Sequence, residues 1–279
     1  MRMKLPFTKM QGAGNDFVVV DATRTPFRPT VEQLGRLADR RFGVGCDQIL
    51  VVEPAQAAGV DFNYRIFNAD GSEVGQCGNG SRCLARFIRD RGLSDKAIIR
   101  VQTQTSLLDL QLQPDGQVRV NMGVPQLEPA QVPFTASARA PRHSLTLDTG
   151  DQVEFAAVSM GNPHAVMEVT DVDAAEVERI GKALQRQAVF PQSVNAGFMQ
   201  IQDRSNIRLR VYERGAGETL ACGSGACAAV VAGRLWGRLD AQVNVRVRGG
   251  MLRIEWQGEG QPVWMTGPAE SVYTGEIEW

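Results

Sequence analysis

A short phrase occurs twice in this 279-residue chain: CGNGSRC, from Cys77 to Cys83, and CGSGAC, from Cys222 to Cys227. The two copies hold four of the five cysteines. Thiols and glycines in such a pattern could bind a metal, cradle a phosphate, or work as acids and bases. Metal fails on angle. Cys77 and Cys83 are six residues apart and Cys222 and Cys227 five. At about 100° per residue the pairs diverge by about 240° and 140° around a helix, so neither shares a face. Zinc knuckles use tighter spacings, and His143 and His164 are the only histidines. No metal is expected. Gly223 to Ala228 satisfies G-x-G-x-x-A, a dinucleotide pattern. Yet ERGAGETLAC ahead of it is not an uninterrupted buried strand, and Asp240 precedes the next apparent strand where the ribose-binding acid should end one.

Cys46, Cys83 and Cys227 read as packing residues, since cysteine is a small apolar side chain. Cys77 and Cys222 differ because each precedes a predicted helix. There the unsatisfied N–H groups and the helix dipole favour thiolate and lower the cysteine pKa, while the glycines admit an anion to those N–H groups. Each copy thus offers a reactive sulfur beside a carboxylate cradle. Two bases on opposite faces of one carbon, one charged and one protonated, invert a stereocentre without turning the substrate over. Such a reaction needs no cofactor in principle, and none is expected.

The elements that must carry these sulfurs are mostly strands. SLLDLQLQPDGQVRVNM, Ser106 to Met122, reads as a hairpin turning at Pro114-Asp115-Gly116, and VNVRVRGGMLRIEW, Val243 to Trp256, as another turning at Gly249-Gly250. Helices are expected at Thr30 to Arg41, with Val31, Leu34, Leu37 and Ala38 on one face, and at Asp171 to Gln187. The telling ones start inside the repeated phrase. Asn79 to Arg91 puts Leu84, Phe87 and Ile88 on one side and Arg82, Arg86 and Arg89 on others, with Gly92 as the stop. Ser224 to Trp236 is apolar all round, hence buried.

The repeat extends further. A shift of 145 lays Arg65-Ile66-Phe67-Asn68 over Arg210-Val211-Tyr212-Glu213, Glu73 over Glu218 and Cys77 over Cys222; a shift of 147 lays Gly14-Asn15 over Gly161-Asn162 and Gln48 over Asn195. Four blocks in one order at nearly constant offset imply two homologous halves, each mostly strand with a helix starting at CGxG. The proline- and alanine-rich stretch Gly123 to Pro141 is the crossover. The expected division is a lobe of residues 1–122, joined by the C-terminal segment 266–279, and a lobe of residues 123–265.

Bulk properties narrow the classes. Thirty basic against 31 acidic residues leave a net charge of −1, no electrostatic case for nucleic acid or an anionic membrane. No apolar stretch approaches a signal-peptide core or a membrane span. An odd cysteine count in a chain this long is unlike a secreted disulfide framework. A cytoplasmic protein with reduced thiols and a small-molecule substrate is expected.

The blocks FTKMQGAGNDFVVVD, RFGVGCDQIL, FNADGSEVGQCGNGSRC, GNPHAV, VNAGFMQ and YERGAGETLACGSGACA, taken together and in order, resemble the diaminopimelate epimerase family, from Phe7 to the terminal VYTGEIEW. The resemblance implies an α+β fold: two pseudo-symmetric lobes of mixed, mostly antiparallel sheet, each wrapped around a central helix, with the active site in the cleft between them. It implies cofactor-independent interconversion of LL- and meso-diaminopimelate, in lysine and peptidoglycan-precursor synthesis, with Cys77 and Cys222 as the catalytic pair. Gly78-Asn79 and Gly223-Ser224 match the turns that bind the α-carboxylate. Asn15, Gln48, Asn68, Asn162, Asn195, Glu213 and Arg214 match residues that hold the rest of the substrate, and His164 and Glu213 match positions that tune the thiols. A homodimer is implied as well, with Tyr273 at a position linked to dimer contact.

Physical chemistry agrees with the carry-over: Arg214 can pair bidentately with a distal carboxylate, and amides supply directional donors and acceptors without net charge. A proline or hydroxyproline racemase would have no distal ammonium and carboxylate for Glu213 and Arg214 to hold. A redox role for Cys77 and Cys222 would need neither the asparagines nor the paired cradles.

Overall fold

The computed structural model describes residues 4–75 and 77–279. The chain forms two compact units, one of residues up to Val120 together with Gly267–Trp279, the other Asn121–Thr266. In the first, β1 (Lys4–Gly12), β2 (Asn15–Asp21), α1 (Val31–Ala38), β3 (Gln48–Pro54), β4 (Phe62–Asn68), β5 (Glu73–Val74), α2 (Gly78–Asp90), β6 (Ile98–Gln102), β7 (Leu107–Leu112) and β8 (Val118–Asn121) follow one another. The C-terminal strand Glu270–Glu278 returns to pair with β1. The second runs β9 (His143–Thr146), β10 (Gln152–Ser159), β11 (Pro163–Glu168), α3 (Val177–Gln185), β12 (Asn195–Asp203), β13 (Asn206–Glu213), β14 (Gly217–Glu218), α4 (Gly223–Leu235), β15 (Gln242–Val247), β16 (Gly250–Glu255) and β17 (Trp264–Gly267).

The pairing schemes match strand for strand. In the first unit β1–β2 is antiparallel, β2–β3 parallel, β3–β4 and β4–β5 antiparallel, β4–β6 parallel, and β6–β7 and β7–β8 antiparallel. In the second, β10–β11, β11–β12, β12–β13, β13–β14, β13–β15, β15–β16 and β16–β17 repeat that series of directions in order. The fold is therefore α+β and mostly sheet, and the duplication read from four sequence blocks is a duplication of topology.

Each sheet curls around its own helix. α2 touches β1, β2, β3 and β7, and α4 touches β10, β11, β12, β13 and β16. Both helices are 13 residues long and stop in the same way. Gly92 (φ 64°) donates its N–H to the Arg89 carbonyl and Leu93 to that of Ile88; Gly237 (φ 70°) and Arg238 do the same to Arg234 and Gly233. A left-handed glycine closing the last turn by these two bonds is a Schellman ending. A second helix lies against β3 in one unit (α1) and against β12 and β13 in the other (α3). There Leu34, Leu37, Ile49 and Phe67 build one apolar cluster, and Leu184, Phe190, Phe198 and Tyr212 another.

The structure departs from the sequence expectations at several points. α1 ends at Ala38, and Val31 is exposed at the first helical position while Leu34, Leu37 and Ala38 are buried. α3 begins at Val177, not Asp171, whose carboxylate instead takes the Asp173 N–H in a turn. The β15–β16 connection is Arg248-Gly249, because Val247 pairs with Gly250. Arg82 is not on a polar face of α2 but fully buried, its Nε donating to the Pro268 carbonyl at 3.0 Å.

Candidate functional site

Cys77 and Cys222 are the N-cap residues of α2 and α4, both with extended backbone (φ −148°, ψ 108° and φ −116°, ψ 106°). The local reason is the phrase itself: cysteine stays extended while the following glycines turn at once into the helix. Each cap carbonyl accepts the first helical bond, from Ser81 N–H and from Ala226 N–H, both at 2.9 Å. The N–H groups of a helix's first turn have no acceptor within the helix itself. They belong to Gly78 and Asn79 in α2 and to Gly223 and Ser224 in α4.

The second glycine of each phrase is a packing necessity. A Cβ on Gly80 would lie 2.5 Å from the Tyr64 hydroxyl, 3.1 Å from Leu50 Cδ2 and 3.4 Å from the Cys77 sulfur. On Gly225 it would meet Val211 Cγ2 at 3.0 Å and the Cys222 sulfur at 3.2 Å. Tyr64 is buried, and that burial, with the neighbouring sulfurs of Cys77 and Cys83, pushes its phenol well above the ordinary value. A protonated phenol therefore sits behind the Cys77 turn.

The two sulfurs differ in environment. Cys77 is half-buried and accepts the Gly80 N–H at 3.3 Å. Cys222 is buried; its thiol donates to Glu213 Oε2 at 3.0 Å and lies 3.6 Å from the Ser224 hydroxyl. Burial pushes the Cys222 thiol well above the ordinary value, and the Glu213 carboxylate adds to this; the Ser224 hydroxyl and Gly225 N–H act in the opposite sense without prevailing. The expectation that the helix N-terminus would lower the Cys222 pKa is overturned, because desolvation and an adjacent negative charge outweigh the helix dipole. Glu213 is itself held by the Thr219 hydroxyl. Cys46 and Cys83 are buried thiols raised to about 12 by desolvation, and Cys227 is fully buried in α4, as packing residues would be.

In the first unit the amides form two groups. Asn79 Nδ2 donates to Asn15 Oδ1 at 3.3 Å, and Asn15 Nδ2 to Asp47 Oδ2 at 2.7 Å. Gln48 and Asn68 face each other across β3 and β4, with Gln48 Nε2 to Asn68 Oδ1 at 2.9 Å, and Asn68 Nδ2 reaches the Ser72 hydroxyl. In the second unit Asn162 Oδ1 lies 3.0 Å from His164 Nε2. Asn195, directly across from His164 in the parallel β11–β12 pair, donates to the Pro163 carbonyl and accepts the Arg214 N–H at 2.9 Å. The exposed Arg214 side chain donates to the Gln192 carbonyl. His164 is fully buried, and burial followed by the Arg214 charge lowers it to about 3, so it is a neutral imidazole. Within this unit Glu213 contacts Cys222, whereas His164 pairs with Asn162.

Asp47 was missed from the sequence, although it sits between Cys46 and Gln48, because its partners Asn15, Asp16 and Arg40 come from separate elements. Gly80 and Gly225 were visible as repeated glycines, but their steric duty was not. Tyr273 lies opposite Lys9, exposed, its ring edge-on to Phe7 at 6.0 Å. Among the described residues no cluster of three or more His, Cys, Asp or Glu side chains is arranged to hold a metal ion, and no helix is long and apolar enough to cross a membrane.

Comparison with known proteins bears directly on this geometry. The family model described as diaminopimelate epimerase matches residues 7–128 and 156–272. Diaminopimelate epimerases from Nitrosospira multiformis and Chromobacterium violaceum are 57% and 58% identical to the chain, each over 99% of it and over 99% and 100% of their own lengths. Among solved structures, a hydroxyproline epimerase from Agrobacterium vitis aligns over 99% of this chain and 94% of its own, with a TM-score of 0.71 at 15% identity. A PhzF-family phenazine biosynthesis protein from Bacillus anthracis aligns over 99% of both chains, with a TM-score of 0.69 at 18% identity. These two likenesses establish the fold alone. A matched family model over most of the chain and relatives at 57–58% identity place the chain in the diaminopimelate epimerase family.

Proposed function

We propose that the chain interconverts LL- and meso-diaminopimelate by a cofactor-independent 1,1-proton transfer in which Cys77 and Cys222 serve opposite faces of the α-carbon. The observation that carries this reading is the N-cap cysteine at the start of the buried helix in both halves of a member of this family. A thiolate takes the α-proton, and the electron pair left behind is held as a carbanion. The other thiol then delivers its proton to the opposite face. The configuration is inverted, and the two sulfurs have exchanged thiolate and thiol roles, so the second direction begins from the state in which the first one ends.

The surroundings support an unequal resting pair. Cys222, buried and donating to Glu213, rests as the thiol, while an N–H aimed at the Cys77 sulfur favours the anionic form there. The first-turn N–H groups at Gly78-Asn79 and Gly223-Ser224 take the α-carboxylate and stabilise charge as the carbanion develops. Asn15, Gln48, Asn68, Asn162, Asn195, Glu213 and Arg214 hold the remainder, with Arg214 turning from the Gln192 carbonyl to the distal carboxylate. Glu213 tunes its thiol directly, and we assign His164 to the same supporting shell. The reaction belongs to lysine and peptidoglycan-precursor synthesis in the cytoplasm, and the enzyme works as a homodimer with Tyr273 at the contact.

Incubation with LL-diaminopimelate, and separately with L-proline, in deuterated water under reducing conditions tests the reading. Deuterium entry at the α-carbon together with epimerisation is expected from diaminopimelate alone. No incorporation from diaminopimelate would sink it.

A further inference from the structure

The repeat makes Asn15 and Asn162 equivalent positions, offset by 147. We propose that Asp47 and His164 are positioning residues that fix these two asparagines with opposite hydrogen-bonding polarity, Asn15 offering its carbonyl oxygen to the ligand and Asn162 its N–H groups. The proposal rests on the epimerase reading above and concerns the recognition of an amino acid bearing both ammonium and carboxylate.

In the first unit the argument turns on a carboxylate. Asp47 Oδ2 lies 2.7 Å from the Asn15 amide, and an ionised carboxylate only accepts, so the Asn15 atom facing it is the NH2. Asp47 is itself pinned. Arg40 donates to its Oδ1 at 2.7 Å, and the Asp16 N–H to its Oδ2 at 3.2 Å. Arg40 also holds Asp16 bidentately at 2.8 and 2.7 Å, with Lys9 on the same carboxylate at 2.6 Å. Burial opposes ionisation of Asp16, but the bonds from Arg40 and Lys9 outweigh it and keep it charged. With its NH2 committed, Asn15 presents Oδ1, which already meets Asn79 Nδ2 and has a second lone pair for an ammonium.

In the second unit the partner is a donor. The His164 ring is fully buried, its Nε2 lies 3.0 Å from Asn162 Oδ1, and its Nδ1 has no hydrogen-bond partner among the described residues. With the proton on Nε2, the orphan is a bare lone pair. The reverse amide flip would bury an N–H with no acceptor, which native structures avoid more strictly. Asn162 therefore spends its oxygen on His164 and offers its NH2, the complement of a carboxylate. Neither orienting residue has a counterpart in the other half, since the same offset lays Val194 over Asp47 and Phe17 under His164. The polarity is broken by residues outside the repeat.

Steady-state kinetics with LL-diaminopimelate test this. Asp47→Leu should raise KM about tenfold, roughly 1.4 kcal/mol of binding, with kcat little changed and the pH profile of kcat in place, and His164→Phe should raise KM to a similar degree. His164→Gln, which restores an N–H donor, should recover most of the loss. Asn15→Asp should bind poorly, since two carboxylates then face each other, and the Asn15→Asp/Asp47→Asn pair should recover much of the affinity by reversing the donor. An unchanged KM in Asp47→Leu or in His164→Phe, no rescue by His164→Gln, or no recovery in the double variant overturns the proposal. Circular dichroism checks folding; should His164→Phe not fold, the Asp47 variants decide, because Asp47 lies at the surface. A wild-type chain without turnover would instead indict the epimerase reading, so the two failures are separable.

Discussion

The two cysteine ends are built on one plan and finished differently. Both sulfurs cap 13-residue helices that end in the same glycine motif, inside sheets with the same series of strand directions. Yet Cys77 is half-buried and accepts an N–H, while Cys222 is buried and donates to a carboxylate. The duplicated scaffold delivers equal positions, but the residue at one of them differs, Asn68 in the first half and Glu213 in the second, and Glu213 adds to the burial that raises the Cys222 thiol. In the proposed two-base reaction one sulfur must be charged while the other is protonated, and the raised Cys222 thiol suits the protonated part.

The sharpest way to break the comparison is to remove each sulfur in turn. Cys77→Ser and Cys222→Ser should each lower epimerisation by about 10³-fold, in line with the loss of a positioned acid or base, measured by α-hydrogen exchange and polarimetry. If either variant retained most activity, the symmetric role would be wrong. Next come the glycines behind them. Gly80→Ala forces a Cβ to 2.5 Å from the buried Tyr64 hydroxyl, whereas Gly225→Ala meets its first neighbour at 3.0 Å. Overpacking costs about 1–3 kcal/mol, offset by up to about 1 kcal/mol of helix propensity. Thermal unfolding should show Gly80→Ala clearly destabilised and Gly225→Ala much less so.

The environment of Cys222 gives a test in pH. Burial, the larger cause, remains in Glu213→Gln, but the carboxylate that disfavours thiolate is gone, so the Cys222 pKa falls. In the direction that uses Cys222 as the acid, the alkaline limb of the kcat profile should move to lower pH. A limb that stays in place would assign it to another group. The smallest effect concerns the outer helices. Thr30 and Gln33 form a reciprocal capping box on α1, whereas Glu176 caps α3 with no side-chain bond to the helix's backbone N–H groups. Thr30→Ala should cost about 1 kcal/mol and Glu176→Ala much less, read from denaturant midpoints.

Much of the architecture was legible because it is local or periodic. The Pro114-Asp115-Gly116 hairpin, the stops at Gly92 and Gly237 and the all-round burial of α4 follow from turn chemistry and apolar spacing. Errors fell where distant segments intervene. Arg82 was set apart from the apolar side of its helix, yet it is buried, and the Pro268 carbonyl, 186 residues away, receives its Nε inside the unit. Asp171 looked helical by periodicity, yet its carboxylate caps a turn and the helix waits for Val177.

The sequence by itself determined the duplication, the helix starts that carry Cys77 and Cys222, and the family, because these depend on residue order and short-range spacing. Only the tertiary structure decided the surroundings of each sulfur and which amide faces which partner. Burial, a carboxylate such as Glu213 or Asp47, and a neutral ring such as His164 exert their fields across space, from residues whose separation along the chain carries no signal.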